Sequence, residues 1–402
     1  MRRALAVAAG AAVLALVAAA SALAWRPDSP LVPRDGGNVS GAAPLFLVLL
    51  IAAFAAYLAA LLLIRRTTPS TRGVIVLAAA IQLVPLGAPL LLSTDAWTYW
   101  SYGWIGARGD ANPYTDAPEE FPDNPALPYM GSDWLDTTSV YGPVFTIASE
   151  PLAVVAGDSD AIAAWTYKAL AGLAALAAAL LAGRLARQRA FAIALVGWNP
   201  LLAVHLAGGG HNDAWVGALI LVALALSASR RLQGSGVLWV VAIGVKWVPL
   251  LFLALHAAEA RATGRSGGRK GLVLAAAAVV IVATALYGGA WPLAIVPLAG
   301  NAALETSYAI PHRLEQIGVP DGLALALAAS LLAAGFAWLV REAGRGRARL
   351  GLAACLVLVT TPYLAVWYLA WTVPLVAADE DAAATVACLV LCAYLLPQTI
   401  PL

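Results

Sequence analysis

Apolar runs long enough to cross a hydrocarbon core, about 20 residues each, follow one another from Ala4 almost to the end of the sequence. Lipid offers no partners to backbone N–H and C=O groups, so runs of this kind fold as helices that satisfy them internally. With 62% apolar and 11% charged residues and a mean hydropathy of +0.82, a water-soluble fold is excluded and no separate soluble domain is expected. Run length and Gly, Pro or charged punctuation predict helices over 4–24, 42–64, 73–92, 160–183, 190–207, 212–229, 271–290, 320–340, 349–363, 366–378 and 382–398. The fold class expected is all-α, a polytopic transmembrane bundle of about 11–13 helices forming one domain over 1–402. Arg2-Arg3 before the first run and Ser21-Ala22-Leu23-Ala24 at its end also fit a cleavable signal peptide, but the length of the run favours a retained helix.

The basic residues sit between apolar runs, at Arg2-Arg3, Arg65-Arg66 with Arg72, Arg184 to Arg189, Arg230-Arg231, 261–270 and 341–349. The net charge is only +2, so the clusters read as cytoplasmic topology signals and not as a nucleic-acid surface. With the N-terminus inside, 93–159 becomes a large extracytoplasmic loop. Within it, 143–156 is too short and punctuated for a normal span and is expected to be a juxtamembrane helix. The stretch 235–257 has basic clusters on both sides. With Gly244 and Pro249 in its middle it is expected to be a re-entrant pair of half-helices carrying Lys246 at the tip. Cys355, Cys388 and Cys392 lack metal-ligand spacing and read as small buried hydrophobes.

The outer loop interleaves carboxylates with aromatics, among them Asp95, Asp110, Asp116, Asp133 and Asp136 with Trp97, Tyr99, Tyr114, Tyr129 and Tyr141. Ring faces stack on sugars and carboxylates accept their hydroxyls, although solvated acids beside an interfacial aromatic belt give the same composition. Asp95 follows Leu90-Leu91-Leu92-Ser93-Thr94 at the expected outer end of helix 73–92. Partial desolvation there raises a carboxylate's basicity and suits a general base; an ordinary helix-end acid in water is the other reading. Gly208-Gly209-Gly210-His211-Asn212-Asp213 opens the helix 212–229 on the same side. Helix capping explains part of it, and His211 with Asn212 and Asp213 is a candidate for binding hydroxyls or phosphate. A metal there is under-ligated, so no cofactor is required, and a divalent cation is left open. Lys246 is a cation inside an apolar stretch, which costs free energy unless it faces a cavity or an anion. Lys168, near an outer helix end beside Trp165 and Tyr167, is expected to snorkel. Glu305, Tyr308, His312, Arg313 and Glu315 lie in a later outer segment, where His312 and Arg313 are candidate phosphate donors.

The segments Ser93-Thr94-Asp95-Ala96-Trp97-Thr98-Tyr99, Asn112-Pro113-Tyr114, Val140-Tyr141-Gly142-Pro143, Asn199-Pro200-Leu201, Gly210-His211-Asn212-Asp213, Lys246-Trp247-Val248-Pro249 and Trp367-Tyr368-Leu369-Ala370-Trp371 together resemble the GT-C superfamily of polytopic glycosyltransferases. Within it they are similar to the actinobacterial polyprenol-phosphate-mannose-dependent α-1,6-mannosyltransferases. The resemblance implies an inverting transfer of mannose from a polyprenyl-phosphate donor to a glycan or lipoglycan acceptor, at the extracytoplasmic face of the cell membrane. It implies Asp95 as the base, Lys246 with His312 and Arg313 at the donor phosphate, and Trp97, Tyr99, Tyr141, His211, Asn212 and Asp213 on the substrate. A transporter or flippase for a lipid-linked substrate is the main alternative, because a charge in a broken helix also marks substrate pathways.

Overall fold

The computed structural model describes residues 2–27, 29–33, 41–67, 69–295 and 306–402. Among the described residues all regular structure is helical. Helices α1 (Arg2–Ala22) and α2 (Ala42–Arg66) pack along each other. Helix α3 (Thr71–Leu83) is shorter than the expected 73–92. Pro85 draws the chain into a tight turn at Val84–Gly87, and Pro89 keeps the backbone irregular up to Thr94, because proline supplies no N–H to continue a helix.

A helix not expected from the sequence, α4 (Asp95–Ala107), then begins inside the loop. Asp95 therefore stands at the start of a loop helix and not at the end of a spanning one. The rest of the loop is held by single turns at Pro118–Glu120, Leu127–Tyr129 and Ser132–Trp134, and it ends in the helix α5 (Pro143–Ala156). Helices α4 and α5 cross closely at Gly103, where a Cβ would come within 2.3 Å of the Ser149 carbonyl oxygen.

The long α6 (Asp160–Leu185) runs back through the bundle. The expected helix 190–207 is two pieces, α7 (Arg189–Gly197) and α8 (Pro200–Gly208), bent by 49°. Asn199 causes the bend locally: its side chain caps the backbone N–H groups of Leu201 and Leu202, and Pro200 cannot extend the preceding helix. After α9 (Asp213–Ala228) come α10 (Leu232–Val245) and α11 (Pro249–Ala262), separated by a break at Lys246, Trp247 and Val248. Next are α12 (Arg269–Tyr287), α13 (Ile310–Gln316), α14 (Asp321–Gly344), α15 (Leu350–Thr360), α16 (Leu369–Asp379) and α17 (Ala382–Tyr394). The three cysteines are buried and unbonded.

Five described helices are long and apolar enough to cross a membrane, or six if the bent α7–α8 pair is one span. The protein is thus a polytopic helical membrane protein, but many of its apolar helices are short. At 1.5 Å per residue, helices of 11–16 residues reach roughly 16–24 Å, less than the ~30 Å hydrocarbon core. Several of these short elements, α9 and α16 above all, pack in the interior around α6, where broken backbone finds protein partners in place of lipid.

Candidate active site

Ser93 prepares the start of α4. Its hydroxyl receives the Asp95 backbone N–H at 3.2 Å and donates to Asp95 Oδ1 at 3.0 Å. Backbone bonds from Leu91 to the Gly208 carbonyl and from Leu92 to the Leu31 carbonyl fix this irregular stretch beside the glycine-rich turn. There Gly210 takes φ of 75°, a left-handed conformation that glycine adopts without strain. Asp95 and the sequence His211-Asn212-Asp213 are brought face to face as a result.

The three consecutive side chains go to three different partners. His211 Nδ1 lies 3.1 Å from Asp95 Oδ2, and the ring is fully buried and stacked on Trp367 with centroids 3.9 Å apart. Asn212 Oδ1 is 3.3 Å from the Tyr99 hydroxyl, which also lies 3.2 Å from Asp95 Oδ2 from one turn along α4. Asp213 holds the Lys246 ammonium on both oxygens, at 2.9 and 2.8 Å, and accepts the Trp371 indole N–H at 3.0 Å. The Lys246 ammonium sits 4.8 Å above the Tyr368 ring. Tyr141 packs edge-on against Tyr99, and Gly142 bonds to the Val245 carbonyl, which draws the end of the loop to the break that carries Lys246. His211 Nε2 and Asn212 Nδ2 are buried without a protein hydrogen-bond partner.

From its place in the sequence, Asp95 is expected to gain basicity by desolvation. Burial does act in that direction. The His211 ring, the Ser93 hydroxyl and the Lys246 ammonium outweigh it, and the Asp95 carboxyl is held below its ordinary value. Asp95 is therefore an ionised acceptor at neutral pH. Burial, together with the neighbouring phenols and acids, pushes the Tyr99 and Tyr141 hydroxyls far up, so both stay protonated donors.

Other expected residues fall elsewhere. Trp97 is buried, its indole donating to the Asp160 carbonyl and its ring against Tyr129. His312 and Arg313 lie on α13, which packs on α14 and α15; His312 approaches Glu315, and Arg313 donates to Gln316 and covers Tyr308. Glu305 lies outside the described residues. Several loop acids are taken up in loop structure: Asp110 and Asp123 by Arg108, Asp116 by the Asn112 N–H and Glu120 by the Ala117 N–H. Lys168 does not snorkel. It is 2% exposed and donates to the carbonyls of Ala88 and Pro89, which the irregular stretch after α3 leaves without helix partners. Trp367, Tyr368 and Trp371, which carry part of the family resemblance in sequence but no expected role, meet His211, Lys246 and Asp213 here. Among the described residues, no three His, Cys, Asp or Glu side chains are grouped to hold a metal.

Fold and site together define a polytopic α-helical membrane protein with a buried centre of carboxylate, imidazole, phenol and ammonium groups at the start of a loop helix. The chain belongs to the family described as alpha-(1->6)-mannopyranosyltransferase, whose N-terminal domain matches residues 4–261. Alpha-(1->6)-mannopyranosyltransferase A of Corynebacterium glutamicum is 30% identical over 173 residues, 41% of this chain and 34% of the relative. The enzyme of the same name from Mycobacterium tuberculosis is 32% identical over 167 residues, 40% of this chain and 32% of the relative. Alpha-(1->6)-mannopyranosyltransferase B of C. glutamicum is 31% identical over 151 residues, 36% and 24% of the two chains. The chain thus spans no more than about a third of the length of the curated relatives it matches. No solved structure matches it.

Proposed function

We propose that this protein is an inverting α-mannosyltransferase that uses a polyprenyl-phosphate mannose donor and a glycan or lipoglycan acceptor at the extracytoplasmic face of the membrane. Family membership and the names of the relatives support mannosyl transfer. The observation that carries the chemistry is the Asp95 centre: an ionised carboxylate, 15% exposed, steadied by Ser93, Tyr99 and His211. In this reading Asp95 takes the proton of the acceptor hydroxyl as that oxygen bonds to the anomeric carbon. The bond from that carbon to the phosphate oxygen breaks, polyprenyl phosphate leaves with the electron pair, and the configuration inverts. Tyr99, Asn212 and His211, buried behind Asp95, hold it in place, with Tyr141 packed on Tyr99.

The basic ends of α2, α6 and α11, at Arg65-Arg66, Arg184 and Arg261, favour a cytoplasmic side opposite Asp95. The break between α10 and α11 supports a re-entrant pair with both flanking basic clusters on that side. Lys246 at this break is balanced by Asp213, which favours a fixed polar wall for the site over the mobile charge of a transport pathway. The reading is tested by supplying membranes with radiolabelled polyprenyl-phosphate mannose: label should enter a glycan with wild-type protein and not with Asp95→Asn. Transfer by that variant would remove Asp95 as the base.

A further inference from the structure

A cavity of about 850 Å³ opens beside Thr94 and Trp97, two residues that bracket Asp95. Its walls include Trp25, Trp97, Tyr129 and Trp165, with Lys168 and Asp160 both contributed by α6. Lys168 donates to two backbone carbonyls, and an ammonium has three N–H groups. Among the described residues no carboxylate pairs with it, so a buried cation stands here without a balancing anion. Lys246, the cation expected at the donor phosphate, is already neutralised by Asp213. Asp160 lies eight residues from Lys168 on one helix, about 12 Å along its axis. The cavity wall thus carries an ammonium and a carboxylate among aromatic faces. Trp25 and Trp165 belong to two spanning helices and are 67% and 59% exposed, which leaves this side open to the lipid interface. A single glycine separates Lys168 from α4: a Cβ on Gly210 would stand 3.3 Å from Ala96 Cβ and 3.4 Å from the Lys168 backbone N.

We infer that this cavity receives the sugar phosphate of the lipid donor, with Lys168 on the phosphate, Trp97, Tyr129 and Asp160 on the sugar, and the lipid chain leaving between Trp25 and Trp165. The inference rests on the transferase reading for the identity of the lipid. A bare phospholipid would satisfy Lys168 but would leave the aromatic faces and Asp160 unused.

The test measures binding of polyprenyl-phosphate mannose, polyprenol and phosphatidylglycerol to the full chain in nanodiscs. Wild type should prefer the sugar phosphate. Lys168→Gln should lower that affinity by about tenfold or more while leaving weak polyprenol binding unchanged, and Lys168→Arg should restore part of it. Should Lys168→Gln fail to fold, Trp165→Ala, which touches neither carbonyl, should raise the donor KM several-fold with kcat retained. Asp95→Asn is the control, expected to bind donor normally without transferring it, so loss of the base and loss of the lipid site give different results. Unchanged donor affinity in Lys168→Gln, an unchanged donor KM in Trp165→Ala, or equal competition by phosphatidylglycerol would overturn the inference.

Discussion

The ammonium of Lys246 reaches both carboxylate oxygens of Asp213, at 2.9 and 2.8 Å, and Asp213 has no exposure at all. The pair joins the start of α9 to the break between α10 and α11, two elements that the loop and the late aromatic segment also touch. Lys246→Met leaves Asp213 buried and unpaired, a change expected to cost ~3–5 kcal/mol. Removing the acid as well, in Lys246→Met with Asp213→Asn, should restore most of that stability without restoring transfer. Thermal unfolding of the purified variants in detergent reads the first effect, and the labelled-mannose assay reads the second. A single variant as stable as wild type would show that the pair holds nothing in place.

Asp95→Asn keeps the shape of the side chain and one acceptor oxygen for Ser93 or Tyr99, turns the other position into a donor, and cannot take up a proton. Transfer should fall by about 10²–10⁴-fold, the usual contribution of a general base. The melting temperature should change little. Single-turnover measurement with saturating donor separates lost chemistry from lost binding.

His211 is the leading neighbour that counters burial and depresses the Asp95 carboxyl. Removing it in His211→Gln should raise the Asp95 pKa, so the acid limb of kcat/KM moves to higher pH. The same linkage acts on stability. A carboxyl depressed on folding stabilises the protein fully above its unfolded value and loses that contribution as pH falls through the folded value. The variant should therefore lose less stability than wild type on acidification. An unmoved acid limb would mean that His211 does not govern Asp95.

Gly103 sets the approach of α4 to α5, because an added Cβ would lie 2.3 Å from the Ser149 carbonyl oxygen. Gly103→Ala must push the helices apart and should cost about 1–3 kcal/mol. Asp95 begins the same helix, so kcat should drop more than donor affinity. Donor binding and kcat falling in proportion would point to general unfolding.

Lipid as solvent made much of the fold legible in sequence. Long apolar runs have one way to satisfy their backbone, so the all-helical class and helices such as α2, α6 and α12 followed from run length alone. The break at Lys246 was legible for a related reason, since Gly244, a cation and Pro249 together interrupt an apolar run. The 14-residue helix at Pro143 was marked by its short length and its prolines. The start of α4 was not marked in this way. Asp95-Ala96-Trp97-Thr98-Tyr99 reads as mixed loop sequence, and its helix is held by the Ser93 hydroxyl on the Asp95 N–H and by α5 packing at Gly103.

By itself the sequence determined that this is a polytopic helical membrane protein, and it offered Asp95, the His211 to Asp213 motif, Lys246, His312 and Arg313 as candidate chemistry-bearing groups. Only the tertiary structure decided how those groups pair. It gave His211 to Asp95, Asn212 to Tyr99 and Asp213 to Lys246, left His312 and Arg313 on a separate helix, and buried Lys168 beside a cavity. The physical reason is range. Hydrophobic length and proline chemistry act within one segment, whereas a carboxylate's partner, and with it the direction of its pKa shift, is set by side chains that arrive from 116 residues away in the case of His211 and Asp95.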